Sequence, residues 1–390
     1  MKYILLGTFV DTQQNANIIN LINSNDPAAN NYQGWLIDGF KQHGEVVKNI
    51  SFKTILKGDY DKLITTCTIE DAGIKFRTKN IYKNHLQRFK HYYSILHQHL
   101  DKDDIILVYS LSLPALIAAI LRARKHRNKL CVIIPDLPLY MSSDMSLAYR
   151  TLKHIDNFLI KLCLKFCSHY VLLTKHMISY LPNILKDNNL IIEGAYNNNI
   201  TELNNSIHKQ ETPYVLYSGT LDPRYGIRSL VDAFMSTSLK YNLVICGNGK
   251  SDEKKYLVEM SHIDSRIKYI GAIDYRDVLY LQKNASLLVN PRNNRGEFTK
   301  YSFPSKTMEY LASGTPTLLY KLDGIPNEYY EYCYAIDGND DTVHTLSKKI
   351  VEILSKPNKE NKELGIKAKD FIINNKTGYK QVSKIIEYLN

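Results

Sequence analysis

Lys306 and Glu309 are the residues whose types and spacing could do chemistry most directly. They lie within Tyr301-Ser302-Phe303-Pro304-Ser305-Lys306-Thr307-Met308-Glu309-Tyr310-Leu311-Ala312-Ser313-Gly314-Thr315-Pro316, which has Pro near a helix start, Gly at its stop and a second Pro beyond. Three residues apart on a helix, the two side chains share one face. A cation in the first turn, beside free backbone N–H groups, suits a phosphate. A carboxylate one turn later accepts two hydrogen bonds from neighbouring hydroxyls such as a ribose diol. Two readings fit the pair: a bound nucleotide, or a solvated ion pair worth a few tenths of a kcal/mol.

Other positions offer comparable alternatives. Tyr217-Ser218-Gly219-Thr220-Leu221 follows a strand-like run and leads through Pro223-Arg224-Tyr225-Gly226 into a helix. Gly219 there lets the backbone approach a ligand and hold phosphate oxygens through N–H groups, or simply makes an ordinary turn. Cys246-Gly247-Asn248-Gly249-Lys250-Ser251 fails the P-loop spacing, because Val244 stands where its first Gly should be, and reads as a tight turn after a strand. Arg292 follows another strand and reads either as a cleft cation or as a surface one. Asp136, between Pro135 and Pro138 at the carboxyl end of a buried run, fits a cleft role or a helix cap. Asn30 and Asn31 precede the expected first helix as N-caps, with a ligand contact as the second reading.

The elements that must position these groups follow one grammar. Strands are expected at Tyr3–Phe9, Glu45–Phe52, Ile105–Tyr109, Leu130–Pro135, Tyr170–Leu173 and Leu190–Ile192, with amphipathic helices at Tyr32–Gln42, His85–Leu100 and Leu113–Lys125. The polar, Asn-rich stretch Asn197–Thr212 breaks the pattern and reads as a linker. Strands then restart at Tyr214–Ser218, Asn242–Cys246, Ile267–Ile270, Ser286–Asn290, Thr317–Leu319 and Tyr334–Ile336. Helices alternate with them at Ile227–Met235, Lys254–Ser261, Tyr275–Lys283 and Ser305–Ser313. Such alternation implies parallel sheets covered by helices on both faces, an α/β class.

Bulk properties narrow the setting. A chain of 390 residues divides naturally into two domains, and 44% hydrophobic with 23% charged residues is a soluble globular composition. No run reaches the roughly 20 apolar residues that span a bilayer. The short apolar start Met1–Gly7 reads as a first strand rather than a signal peptide, so the chain is expected in the cytoplasm. Six scattered cysteines read as reduced buried thiols. The acidic clusters 101–104 and 337–341 form no DxD motif after a buried strand, and no metal site is expected. A net charge of +11 attracts anions, yet the basic residues are dispersed and no nucleic-acid module is visible. Leu147–Phe166 places Arg150, Lys153, Lys161 and Lys165 among apolar residues at helical spacing, which fits a sheet-covering helix or one lying on an anionic membrane.

The stretch 301–316 resembles the carboxy-terminal signature of retaining glycosyltransferase family 4, and its Phe303-Pro304-Ser305-Lys306 run resembles an FPSK-type subgroup of bacterial polysaccharide-assembly glycosyltransferases. The resemblance implies the GT-B fold, two doubly wound Rossmann-like domains facing a central cleft. On that pattern residues 1–196 bind the acceptor, 197–212 link, 213–372 bind the nucleotide-sugar, and 373–390 return as a helix onto the first domain. Glu309 would bind the donor ribose, and Lys306 would stand near the diphosphate. Tyr301 occupies the position of the family's first acidic residue. Ser218, Gly219, Thr220, Arg224, Gly247, Gly271, Ala272, Arg292, Tyr301, Ser302, Phe303 and Ser305 would line the donor site, with Arg224 and Lys306 replacing the cations that the family carries near Thr220 and Tyr225. Asp136, Asn30 and Asn31 would lie on the acceptor side. The implied activity is metal-independent, cofactor-free, retaining transfer from a nucleotide-sugar, most simply a UDP-sugar, to a glycan or lipid-diphosphate-linked acceptor. The implied setting is surface polysaccharide assembly at the inner face of the membrane. A UDP-sugar epimerase of the same fold and a non-catalytic partner subunit are the competing readings.

Overall fold

Runs of Ile, Leu and Val bounded by turn residues become strands, and the central ones are buried on both faces, as the grammar of the chain requires. The computed structural model describes residues 2–9, 27–55, 74–76, 81–137, 147–183, 186–197, 210–340 and 342–390. The chain divides into two compact units, Met1–Ala195 with Gly378–Asn390, and Tyr196–Thr377. Of the expected linker, residues 198–209 lie outside the described residues.

The first unit contains β1 (Lys2–Gly7), α1 (Pro27–Gln42), β2 (Val46–Ser51), β3 (Lys53–Ile55), β4 (Ile74–Phe76), α2 (Ile81–His99), β5 (Ile105–Tyr109), α3 (Leu113–His126), β6 (Leu130–Ile134), α4 (Leu147–Leu164), β7 (His169–Leu172) and β8 (Asn189–Ile191). Six strands form a parallel sheet in the order β2-β1-β5-β6-β7-β8, while β3 and β4 pair separately. The small β3–β4 pair was not anticipated. Helix α1 begins a turn earlier than expected, with Pro27 as its first residue. Asn30 and Asn31 are therefore inside the helix rather than capping it, Asn30 buried and Asn31 exposed. Gln33 on the same helix is buried, accepts from the Thr8 amide at 2.8 Å and donates to Ala29 O at 2.9 Å, fixing α1 to the end of β1. Within the acidic cluster at 101–104, Asp104 is buried and paired with Lys2 at 3.1 Å.

The second unit contains β9 (Tyr214–Ser218), α5 (Ile227–Met235), β10 (Asn242–Cys246), α6 (Ser251–Ile263), β11 (Ile267–Tyr269), α7 (Tyr275–Asn284), β12 (Leu287–Asn290), α8 (Lys306–Ala312), β13 (Thr317–Tyr320), β14 (Tyr334–Ile336), α9 (Val343–Ser355) and α10 (Asn358–Asn375). Its sheet is parallel in the order β11-β10-β9-β12-β13-β14. Strand order reverses between β9 and β12. In open parallel sheets that switch point leaves a crevice outside the carboxyl ends of the strands, where ligands bind.

Helix α11 (Gly378–Leu389) closes the chain and counts with the first unit. Its Val382, Ile385 and Leu389 are fully buried in one core with Trp35, Leu36 and Phe40 of α1. Gly39 makes the approach of α1 and α11 close: a Cβ there would sit 2.5 Å from Val382 Cγ2 and 2.8 Å from Gly378 O. Among the described residues no helix is long and apolar enough to cross a membrane. Cys131, Cys163, Cys167, Cys246 and Cys333 are free thiols.

Candidate functional site

The carboxyl ends of β9, β10, β11 and β12 bring together residues far apart in sequence. Gly219 N donates to Cys246 O at 3.0 Å, and Gly247 N donates to Gly271 O at 2.8 Å, so the three turns form one continuous layer. Gly247 is required there: its φ is +148°, and a Cβ would sit 1.8 Å from Gly219 O. Thr220, Ala272 and Ser305 are exposed, whereas Ser218 is buried.

Helix α8 carries the central carboxylate. Gly314, with φ +79°, follows its end as the Gly-stop signal requires. The buried Tyr310 locks the helix to β9, since its hydroxyl accepts from Ser218 N at 2.8 Å and donates to Ser218 O at 3.1 Å. Glu309 then faces three donors. Lys306 Nζ donates to Oε1 at 2.6 Å, Gln282 Nε2 donates to the same oxygen, and Tyr275 OH donates to Oε2 at 3.0 Å. Only 13% of the Glu309 side chain is exposed, against 32% for Lys306, so the pair is more than a solvated helix contact. Helix α8 has seven residues, so its dipole is small and the site rests on side chains.

Gln282 is fully buried and also donates to Ser218 Oγ at 2.9 Å, while its Oε1 has no hydrogen-bond partner. Both amide protons are thus committed to oxygen acceptors, which fixes the orientation of the amide. Burial raises the Tyr275 and Tyr196 phenols above their ordinary range, and the negative charge of Glu309 adds to both. Burial likewise pushes the Cys246 thiol up to about 12, leaving it unreactive beside the site. Tyr275 and Gln282 were missed in the sequence. They stand seven residues apart on α7, hence on one face, but nothing local says which carboxylate they meet.

A second group surrounds Arg292, at the end of β12. It is 7% exposed, donates through Nη2 to Ser302 Oγ at 2.6 Å and leaves Nε without a hydrogen-bond partner. Its guanidinium carbon lies 4.9 Å from the Phe298 ring centre and 5.4 Å from that of Tyr225. Desolvation lowers its pKa; Tyr225 opposes that shift and Arg224 adds to it. Arg224 itself is clamped on Asp222, Nε to Oδ1 at 2.9 Å and Nη2 to Oδ2 at 3.0 Å, so its charge is compensated locally. Tyr301 and Ser302 are partly buried, but Phe303 packs into the core with its ring 5.3 Å from Tyr329. Asp136, exposed after β6, and Asn30 and Asn31 belong to the first unit; the residues from Pro138 to Met141 lie outside the described ones.

Residues 199–371, which contain Glu309 with its three donors and the group around Arg292, match the family model described as glycosyl transferases group 1. The carboxy-terminal site lies inside the segment that is similar to this family. Over 147 residues the chain is 29% identical to O-antigen chain mannosyltransferase B of Escherichia coli, a match covering 36% of this chain and 36% of that protein. The chain thus aligns with about a third of the length of this curated relative. Likeness in fold extends further. The crystal structure of Anabaena Alr3699/HepE in complex with UDP matches with a TM-score of 0.64 at 13% identity, covering 100% of this chain and 99% of that one. A glycosyltransferase from Rickettsia africae matches with a TM-score of 0.65 at 14% identity, covering 100% and 97%. Two parallel six-stranded sheets flanked by helices are the GT-B form of the α/β class.

Proposed function

We propose that this chain is a retaining glycosyltransferase that takes a sugar from a nucleotide-sugar, most simply a UDP-sugar, and passes it to a glycan or lipid-diphosphate-linked acceptor in bacterial surface polysaccharide assembly. The observation that carries this reading is the Glu309 carboxylate, held by Lys306, Gln282 and Tyr275 beside the switch point of a parallel sheet, within the group 1 segment. A carboxylate offers about four lone-pair sites and three are taken here, so one ribose hydroxyl adds to Oε2 beside Tyr275 and the second takes the place of the Lys306 ammonium, which turns to the diphosphate. Gly219, Gly247, Gly271 and Ala272 supply the backbone and small side chains that border the nucleotide, while Ser218, buried and bonded to Tyr310 and Gln282, supports the site from beneath, and Arg292 and Lys306 supply positive charge for the diphosphate. Uridine diphosphate in the Anabaena neighbour is consistent with that choice of donor.

In the proposed reaction the bond from the anomeric carbon to the phosphate oxygen breaks, and a bond from the same carbon to the acceptor oxygen forms on the same face. The acceptor proton passes to the departing phosphate oxygen, so no protein nucleophile and no metal enter. Tyr301 and Ser302 face the sugar, and Asp136, Asn30 and Asn31 serve the acceptor side. The enzyme works in the cytoplasm, held peripherally at the inner face of the membrane.

A thermal-shift screen against nucleoside diphosphates and nucleotide-sugars tests the reading. A selective rise with one UDP-sugar supports it, and no response to any nucleotide contradicts it. Turnover of the UDP-sugar without acceptor would instead identify an epimerase.

A further inference from the structure

Sixteen large hydrophobic side chains are exposed among the described residues, and eight of them lie on or just after one helix pair of the first unit. Ile117 and Leu121 stand on α3; Leu152, Ile155, Phe158, Leu159 and Leu162 stand on α4, with Phe166 just beyond it. On α4 the inward face is already used: Asn157, Ile160 and Leu164 are buried, and Cys167 continues the row. Residues 152, 155, 159, 162 and 166 repeat at the same alternating spacing of three and four but on the opposite side. A helix that only covers a sheet needs one apolar stripe. This one has two.

The charges around the outer stripe have one sign. Lys161 and Lys165 flank it on α4, and Arg124, whose guanidinium carbon lies 4.3 Å from the Phe166 ring centre, and Lys125 flank it on α3. The acid on α4, Asp156, is half-buried on the inward side. An apolar stripe rimmed by cations matches the depth profile of a bilayer surface carrying anionic headgroups, with rings and aliphatic chains below and amines at headgroup level. A second copy of the chain would bring like charges together, so it fits less well.

We propose that the outward face of α3 and α4 docks this protein on an anionic lipid surface, inserting Ile155, Phe158 and Leu162 while Arg124, Lys161 and Lys165 contact phosphate headgroups. The inference deepens the peripheral-membrane part of the functional reading and rests on it, but it does not depend on which donor is used.

The test is flotation of the full chain with vesicles of phosphatidylcholine alone or mixed with phosphatidylglycerol, at low and high salt. The unaltered protein should float with the mixed vesicles, and less so at high salt. Phe158→Glu with Leu162→Glu should lose roughly tenfold or more of that binding, since it places charge in the acyl boundary. Lys161→Gln with Lys165→Gln should weaken it several-fold. No binding of the unaltered protein to mixed vesicles overturns the proposal, as does undiminished binding of the Glu variant. Light scattering that shows self-association abolished by Phe158→Glu with Leu162→Glu, without vesicle binding, also overturns it and assigns the face to a second copy. Thermal shifts with UDP on the same samples report folding and the donor site separately, so failure of the lipid proposal and failure of the transferase reading are told apart.

Discussion

The Tyr275 hydroxyl donates a hydrogen bond to Glu309 Oε2 at 3.0 Å across 34 residues of sequence. Helix α7 and helix α8 meet through that contact and through Gln282, and the carboxylate is thereby aimed before any ligand arrives. Preorganisation of this kind lowers the ordering cost that binding must meet.

Tyr275→Phe removes one of the three donors without changing shape. A hydrogen bond to a charged group contributes about 1.5–3 kcal/mol, and water recovers part of it at this half-exposed position. UDP affinity should fall roughly three- to tenfold by calorimetry, with little change in unfolding temperature. Unaltered affinity would show that this phenol does not position Glu309 for ligand.

Arg292 is a buried cation whose Nε lacks a hydrogen-bond partner, between the rings of Tyr225 and Phe298. Such a group costs stability unless a ligand anion completes it, and an apolar replacement of similar length is often neutral or stabilising. Arg292→Met should therefore leave the urea midpoint equal or higher while weakening UDP binding about tenfold or more. A lowered midpoint with unchanged UDP affinity would make Arg292 structural.

The Arg224–Asp222 clamp gives a pH dependence. Hydrogen bonds from Arg224 hold the Asp222 carboxyl below the usual carboxylate range, against the opposing effect of burial. A depressed folded pKa contributes stability that is present above the unfolded value near 4 and is lost as pH falls through the folded one. Urea midpoints should drop more steeply from pH 5 to pH 3 in the unaltered protein than in Asp222→Asn. Parallel profiles would remove the clamp from the account.

Gly39→Ala tests the packing of the last helix. The added Cβ would meet Val382 Cγ2 and Gly378 O well inside van der Waals contact, so α1 and α11 must separate. Overpacking of this type costs about 1–3 kcal/mol. Chemical denaturation should show that loss.

The strands were legible because each central one is a short apolar run closed by turn residues, and burial on both faces removes any polar alternation that could mislead. The ion pair at 306 and 309 was legible from helical spacing. Its other partners were not, because Tyr275 and Gln282 reach Glu309 only through tertiary packing. Arg224 read as free for ligand, although the carboxylate that neutralises it stands only two residues earlier. Reading Asn30 and Asn31 as caps overlooked Pro27, which starts the helix a turn sooner. Helix α10 escaped notice because it buries only a narrow set, Asn361, Gly365, Ala368, Phe371 and Ile372, among charged residues.

Calorimetric titration of UDP into the unaltered protein and into Glu309→Ala addresses the central claim most directly. The carboxylate is held for a ribose, so the substitution should weaken UDP binding by about 10- to 100-fold, in line with charged hydrogen bonds of about 1.5–3 kcal/mol, while circular dichroism stays unchanged. Equal affinities in the two proteins would contradict the account.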